Sequence, residues 1–392
     1  MRADATEADR RRDVREAARG WRRSGAIEET ALAAVVRAYP DDRVRLGPAF
    51  RALAFIFTVL ALNALFFFVV AAFEPGADVG GALAIAYGLL LAVVTDVQVG
   101  RLKRDEGGTE TATALVGLAY VAVGAVVLMS EAGIRERTLF PAACALAVVA
   151  FAAGAKRWGM PVCAVLAGVF SFLLLAQSRT FARLLWIAAA LVTIPALLKG
   201  SESPRLPPAH RRSCQALLAI ALVALYAAVH LGSWDNGFVE ALAGTGTRRW
   251  RESPLRPLAI AGTALVPLAA IAFGVSTRRR LFLDLGLALG VASLVTLRFY
   301  VHVAPLWVVL AVGGAAAVAA ALAAHRFLAS GPGRERRGLT AEPLFEDLSR
   351  QTELEAAAAL ATAPEMRTPT PDDRSLHPGG GRFGGGGASG EY

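Results

Sequence analysis

Lysine is nearly missing from this chain: Lys103, Lys156 and Lys199 are the only three among 41 basic side chains. The skew towards arginine reads as a codon bias and carries no functional meaning. Cysteine is as scarce. Cys144, Cys163 and Cys214 fall inside or at the edge of apolar runs, and none has the spacing of a metal pair, so they read as small buried side chains. Enzyme signatures are lacking too. There is no GxxxxGK[ST] phosphate loop, HExxH zinc pair, GxSxG elbow or CxxC, which leaves no motif for a catalytic centre or a cofactor. His210, His230, His302, His325 and His377 are scattered over loops, span ends and tail, whereas a closed metal site needs four convergent ligands. The stretch MRADATEADRRRDVREAARGW contains no early apolar segment of the kind a cleaved signal peptide needs, so the first apolar span is expected to direct insertion.

What the chain does have is apolar length. Hydrophobic residues make up 55% and charged residues 19%, and the mean hydropathy is +0.48, too apolar for a soluble domain whose polar surface must cover its core. The net charge of +9 sits in the tails and in short gaps between apolar runs. That placement points to lipid headgroups and topology control, not to nucleic acid.

A hydrocarbon core takes ~20 helical residues to cross. Ten runs qualify: Leu53–Phe73, Val79–Thr95, Ala112–Met129, Leu139–Ala155, Met160–Ala176, Leu184–Leu198, Ala216–Leu231, Leu258–Val275, Leu281–Leu297 and Leu306–Ala324. Leu184–Leu198 is the shortest, and without it the number is nine. The expected fold is all-α, a polytopic bundle over residues 49–326. Arg37, Arg43, Arg45 and Arg51 precede the first span, and the loop EPGAD after it has no basic residue, so the N-terminus is expected in the cytoplasm. Ten crossings return the C-terminus there. The long external loop GSWDNGFVEALAGTGTRRWRESPLRP is also basic, which leaves a missed span or a re-entrant segment near Phe238 as the alternative.

Residues 1–48 read as two helices closing as a hairpin. Val14, Ala17, Ala18 and Trp21 repeat at helical spacing before Gly25, and Leu32, Val35, Val36 and Tyr39 do so before Pro40. The face carrying Arg12, Arg15, Arg19, Arg22 and Arg23 is expected to be solvated or to touch anionic lipid. Residues 327–364 read as a linker and an exposed acidic helix, able to dock on a partner. Residues 365–392, Pro-rich and then Gly-rich, have a composition unable to bury a core and are expected to be disordered.

The stretch RDVREAARGWRRSGAIEETALAAVVRAYP, with Gly25, Ala26 and Ile27 at the turn and Trp21 and Leu32 around it, runs through a basic linker into a Phe- and Leu-rich span. Over residues 12–75 it resembles the bacterial membrane proteins called domain of unknown function 2157. That resemblance implies an integral protein of the bacterial cytoplasmic membrane, and it brings no catalytic residues. The ending GGGRFGGGGASGEY is similar to glycine-rich tails of other bacterial membrane proteins.

Ionisable groups in hydrocarbon are costly and are functional candidates by default. Asp284 is the only acid well within a span. Arg280 precedes it by four residues, so an ion pair at the headgroup boundary is the plain reading. A proton or cation relay would instead require Asp284 to face Asn63, Tyr87, Tyr120 or Tyr226. Arg298 lies fourteen residues on, roughly 21 Å along one helix, which rules out a pair within it. Gly286 and Gly290, continued by Ser293, let another helix approach closely. Pro195 and Pro267 interrupt their spans, and Thr263 is placed to satisfy backbone freed by Pro267. In the external loop Trp234 and Trp250 are expected to sit in the headgroups, and Asp235 and Glu240 offer a ligand-binding or catalytic carboxylate pair. The stretch LRFYVHVAP reads as an external turn in which Arg298 and Tyr300 reach the headgroups and Pro305 starts the last helix, leaving His302 without a named partner. The expected function is a non-enzymatic membrane component contacting partners through its cytoplasmic termini. A small-solute or ion transporter and an enzyme acting on lipid-linked substrates are the alternatives.

Overall fold

The computed structural model describes residues 3–340 apart from 24, 41–42, 44–46, 104–106, 179–180, 243–255, 302–305, 331–334 and 337–338. The expected acidic helix after residue 340, the Gly-rich tail, Trp250, His302 and Pro305 lie outside the described residues.

The described chain is helical: α1 (Ala3–Arg23), α2 (Glu29–Ala38), α3 (Pro48–Phe73), α4 (Ala77–Gly100), α5 (Thr109–Glu131), α6 (Glu136–Trp158), α7 (Pro161–Ala176), α8 (Ala182–Glu202), α9 (Pro208–Val229), α10 (Leu231–Asp235), α11 (Phe238–Ala241), α12 (Arg256–Thr277), α13 (Arg280–Val301) and α14 (Leu306–Ala329). Residues 1–314 form one compact unit. The other, residues 315–392, contains the end of α14 and a two-residue antiparallel pair, Glu335–Arg336 with Leu339–Thr340.

Among the described residues eight helices are long and apolar enough to cross a membrane: α3, α4, α5, α6, α8, α9, α12 and α13. Their surfaces carry exposed Phe57, Phe67, Phe68, Leu90, Val192 and Leu268, an apolar area that a soluble protein would bury. Leu184–Leu198, the shortest of the ten apolar runs, belongs to the 21-residue α8, because Ala182, Arg183 and the KGSE segment continue the helix at both ends. The short one is α7, with 16 residues, held between Pro161 at its start and Gln177 at its end.

Small side chains set the closest approaches. A Cβ on Gly88 would lie 2.5 Å from Gly117 O, and one on Gly124 would lie 2.5 Å from Gly81 O, so two glycine steps bring the backbones of α4 and α5 into contact. On α13 a Cβ at Gly286 would meet Ile271 N of α12 at 2.9 Å, whereas one at Gly290 would meet only Pro267 Cβ at 3.9 Å. Half of the expected GxxxG face is therefore a true close approach. Its second member is Gly274 of α12, where a Cβ would lie 2.7 Å from Leu283 N.

α7 joins two groups of helices. One face packs Cys163 and Ala167 against Leu118 of α5 and Phe151 of α6. The other packs Phe172 and Ala176 against Trp186 of α8 and Ala221 and Ala224 of α9, and Trp186 Nε1 donates to Phe172 O at 2.8 Å. A third cluster, Leu218 and Leu222 with Ala270 and Phe282, seats α9 on α12 and α13.

At the end of the bundle where α4, α6 and α8 finish, ion pairs tie neighbours together. Asp96 accepts from Arg157 and from Trp158 Nε1, each at 2.8 Å, and Glu202 pairs with Arg279. α1 docks on this end through Asp13 and Arg211 of α9, 3.1 Å apart. A cleft of about 290 Å³ lies between α1 and the adjoining ends of α8 and α9. The two N-terminal helices do not seal the expected hairpin core. The turn is built, with Gly25 at φ 72° and Ala26 N donating to Trp21 O, yet Trp21 is 54% exposed and α2 buries no residue.

The glycine contacts separate cleanly by position. Gly88→Ala, which drives a methyl into the α5 backbone, is expected to cost ~1–3 kcal/mol as overpacking. Gly80→Ala, with nothing within 4 Å of the new Cβ, should be neutral or stabilise by up to about 1 kcal/mol through helix propensity. Thermal unfolding of the two variants in detergent measures the difference.

Candidate functional site

A layer of polar side chains closes the opposite end of the bundle, where α9 leaves and α12 begins. Its origin is a proline. Pro267 has no N–H, so Thr263 O loses its helical partner, and Ser293 Oγ of α13 donates to it at 2.6 Å. The Tyr226 hydroxyl of α9 stands 2.8 Å from Ser293 Oγ. The Thr263 side chain has a different task from the one expected: its hydroxyl donates to Ala259 O and accepts Leu231 N, both at 2.7 Å, and so fixes the first residue of α10.

α10 and α11 fill the place where a missed span or re-entrant segment was the alternative. They are helices of five and four residues, folded onto the bundle end with Leu231 and Val239 fully buried. His230 caps α10, its Nδ1 accepting Ser233 N at 3.3 Å, while Nε2 stands 2.8 Å from Thr296 Oγ1. This imidazole is one residue past the apolar span of α9, and burial lowers its pKa from the ordinary value.

Arg183, the second residue of α8, is 6% exposed. Its guanidinium donates to Ala228 O at 3.0 Å and Ser233 O at 2.6 Å, and it lies 4.9 Å from the Trp234 ring centroid. Trp234 is half-buried, and its Nε1 donates to Ala228 O at 2.9 Å.

Asp235 is the exceptional group. Its side chain is 5% exposed, both carboxylate oxygens are buried, and neither has a hydrogen-bond partner among the described residues. Arg256 Nη2, from the first turn of α12, stands 3.8 Å away, beyond the 2.7–2.9 Å of a charge-assisted hydrogen bond. Glu240 falls in α11, five residues on, and its side chain lies outside the described set.

The stretch read as an external turn is helical as far as Val301, since Leu297–Val301 continues the apolar repeat of α13. Tyr300 turns towards α10: its hydroxyl accepts from Asn236 Nδ2 at 2.9 Å, and Arg256 reaches its carbonyl at 3.5 Å. Asp284 lies at the other end, 61% exposed, 3.4 Å from Arg280. The four residues a relay would have needed are occupied elsewhere. Tyr120 donates to Asn63 Oδ1 at 3.0 Å and Tyr87 to Leu62 O at 2.8 Å, around Phe66.

Arg183, Ser233, Thr296 and Arg256 were not singled out from the sequence, and His230 stood there only as one of five scattered histidines. One signal was present. In a ten-span topology Arg183 and Arg256 stand on the translocated side, where arginine is disfavoured, and a cation there suggests a buried partner.

No family model matches the chain, and no curated protein or solved structure is similar to it.

The asymmetry of the Asp235 pair yields a measurable difference. Arg256→Met leaves a buried carboxylate without its nearest cation and should cost about 3 kcal/mol. Asp235→Asn leaves a part-exposed arginine able to hydrate and should cost less than about 1 kcal/mol. Thermal unfolding of both single variants and the double variant checks the order.

Proposed function

We propose that the chain is an integral protein of the bacterial cytoplasmic membrane that works as a non-enzymatic component, meeting partner proteins through cytoplasmic ends. In this reading α7 and α14 join the eight long apolar helices as spans, which makes ten and puts both termini in the cytoplasm. The resemblance of residues 12–75 to domain of unknown function 2157 agrees with it. So does charge, because Arg43, Arg157, Arg211 and Arg279 gather at one end of the bundle with α1.

The observation that carries the partner reading is α2. Leu32, Val35 and Val36 lie only half-buried on a helix that buries no residue, while α1 beside it is fastened to α9. A half-covered apolar stripe at the bundle surface suits a protein partner. Asp235 favours a second reading, small-solute or ion transport, because an under-bonded buried carboxylate in a membrane bundle is where a coupling ion or cationic solute would be held.

Topology reporters fused after residues 76, 242 and 330 should report outside, outside and cytoplasm, and a cytoplasmic 242 would sink the ten-span order. On native gels of solubilised membranes, Leu32→Asp with Val36→Asp should shrink the complex formed by the full chain while its thermal midpoint stays put. A complex of unchanged size counts against the partner reading. Under the transport reading, Asp235→Asn should abolish flux in reconstituted vesicles.

A further inference from the structure

The hydrogen bonds of His230 admit a single protonation state. Thr296 Oγ1 donates its own proton to Ala292 O at 2.9 Å, so towards His230 it is an acceptor and Nε2 carries the hydrogen. Nδ1 must then be bare, as the Ser233 N–H donating to it requires. Only the neutral imidazole with its hydrogen on Nε2 meets both neighbours. A second proton has to go on Nδ1, where it would face the Ser233 N–H donor to donor, and the cap of α10 could not persist.

We propose that His230 is a proton-operated latch on α10: neutral, it caps the helix and fastens it to α13, and protonated, it lets the α10 turn go. What hangs on α10 gives the latch its reach. Ser233 holds Arg183 of α8 through its carbonyl and hydroxyl, Trp234 lies beside the same guanidinium, and Asp235 stands next to Arg256 of α12. Release of one turn therefore loosens the junction of α8, α12 and α13 together. Of the titratable and charged groups, Tyr226 of α9 packs on His230 with ring centroids 4.8 Å apart, Tyr300 of α13 meets it around Gly232, and along α10 follow Arg183 of α8 on Ser233 and Asp235 beside Arg256 of α12. Burial of the ring disfavours the charged imidazole, so the latch holds at neutral pH and opens in acid.

Hydrogen exchange of the full chain in lipid nanodiscs, read by mass spectrometry at pH 7.5 and 5.5 and corrected for the intrinsic rate of exchange, tests this. Protection of residues 231–237 should fall by about tenfold or more at pH 5.5, a one-unit shift in an opening equilibrium, while α5 stays unchanged. His230→Asn, whose side-chain oxygen caps a helix without titrating, should be protected equally at both pH values, and His230→Ala poorly at both. Equal protection of the unsubstituted chain at the two pH values overturns the latch, whatever the variants do. So does an acid loss in His230→Asn as large as in the parent chain.

Discussion

Between helices surrounded by lipid there is little hydrophobic drive, because the acyl chains are as apolar as leucine. Helices as apolar as these eight must be held together by other means. The bundle uses two, and each is placed where it works. Along the spans, glycine lets backbones touch: Gly81 and Gly88 of α4 against Gly124 and Gly117 of α5, and Gly274 and Gly286 between α12 and α13. Dispersion contacts are then gained along whole turns. Polar side chains clamp neighbouring helices, charged ones at the ends, where water and headgroups lower the cost of charge, and hydroxyls deeper in.

The clamps at the two ends differ in kind. Arg157 with Asp96, and Arg280 with Asp284, are largely exposed pairs of modest worth, which other charges could replace. Arg183 is buried and bonded to backbone carbonyls, and Ser293 answers a carbonyl freed by Pro267. Removing either would strand a desolvated polar group, and such losses are large. One proline thus has consequences on three helices. It frees Thr263 O, which recruits Ser293 of α13 and through it Tyr226 of α9, while the Thr263 hydroxyl fixes Leu231 and so the start of α10. The polar layer is specified more tightly than the charged rim at the opposite end.

Legibility in the sequence follows the same division. Eight of the ten expected runs coincide with helices long and apolar enough to cross a membrane, because apolar length is local, as is the Arg280–Asp284 pairing, four residues apart on one helix. Gly286 was legible by its neighbours on the same face, but the α4–α5 glycines, seven apart on each helix, were visible only as a pattern whose partner strip lay some 36 residues on. The bonds of the polar layer join residues 32, 45 and 66 positions apart, and no periodicity foretells those. Asp235 was picked out as one of a carboxylate pair. What distinguishes it is burial beside Arg256 without a hydrogen bond, a property of three dimensions alone.

The shortness of α7 follows from its place. Sixteen residues rise only about 24 Å, less than a hydrocarbon core of about 30 Å. A helix facing lipid all round would leave backbone ends in hydrocarbon at that length. α7 instead has α5 and α6 along one side and α8 and α9 along the other, so its ends meet protein. Gln177, just past its last turn, donates to Leu173 O and to Leu242 O, which covers one carbonyl of that turn and ties it to the segment following α11. The wedge that unites the two helix groups can be short because they surround it, and at its end Val239 of α11 joins the cluster that holds Phe172 and Ala176.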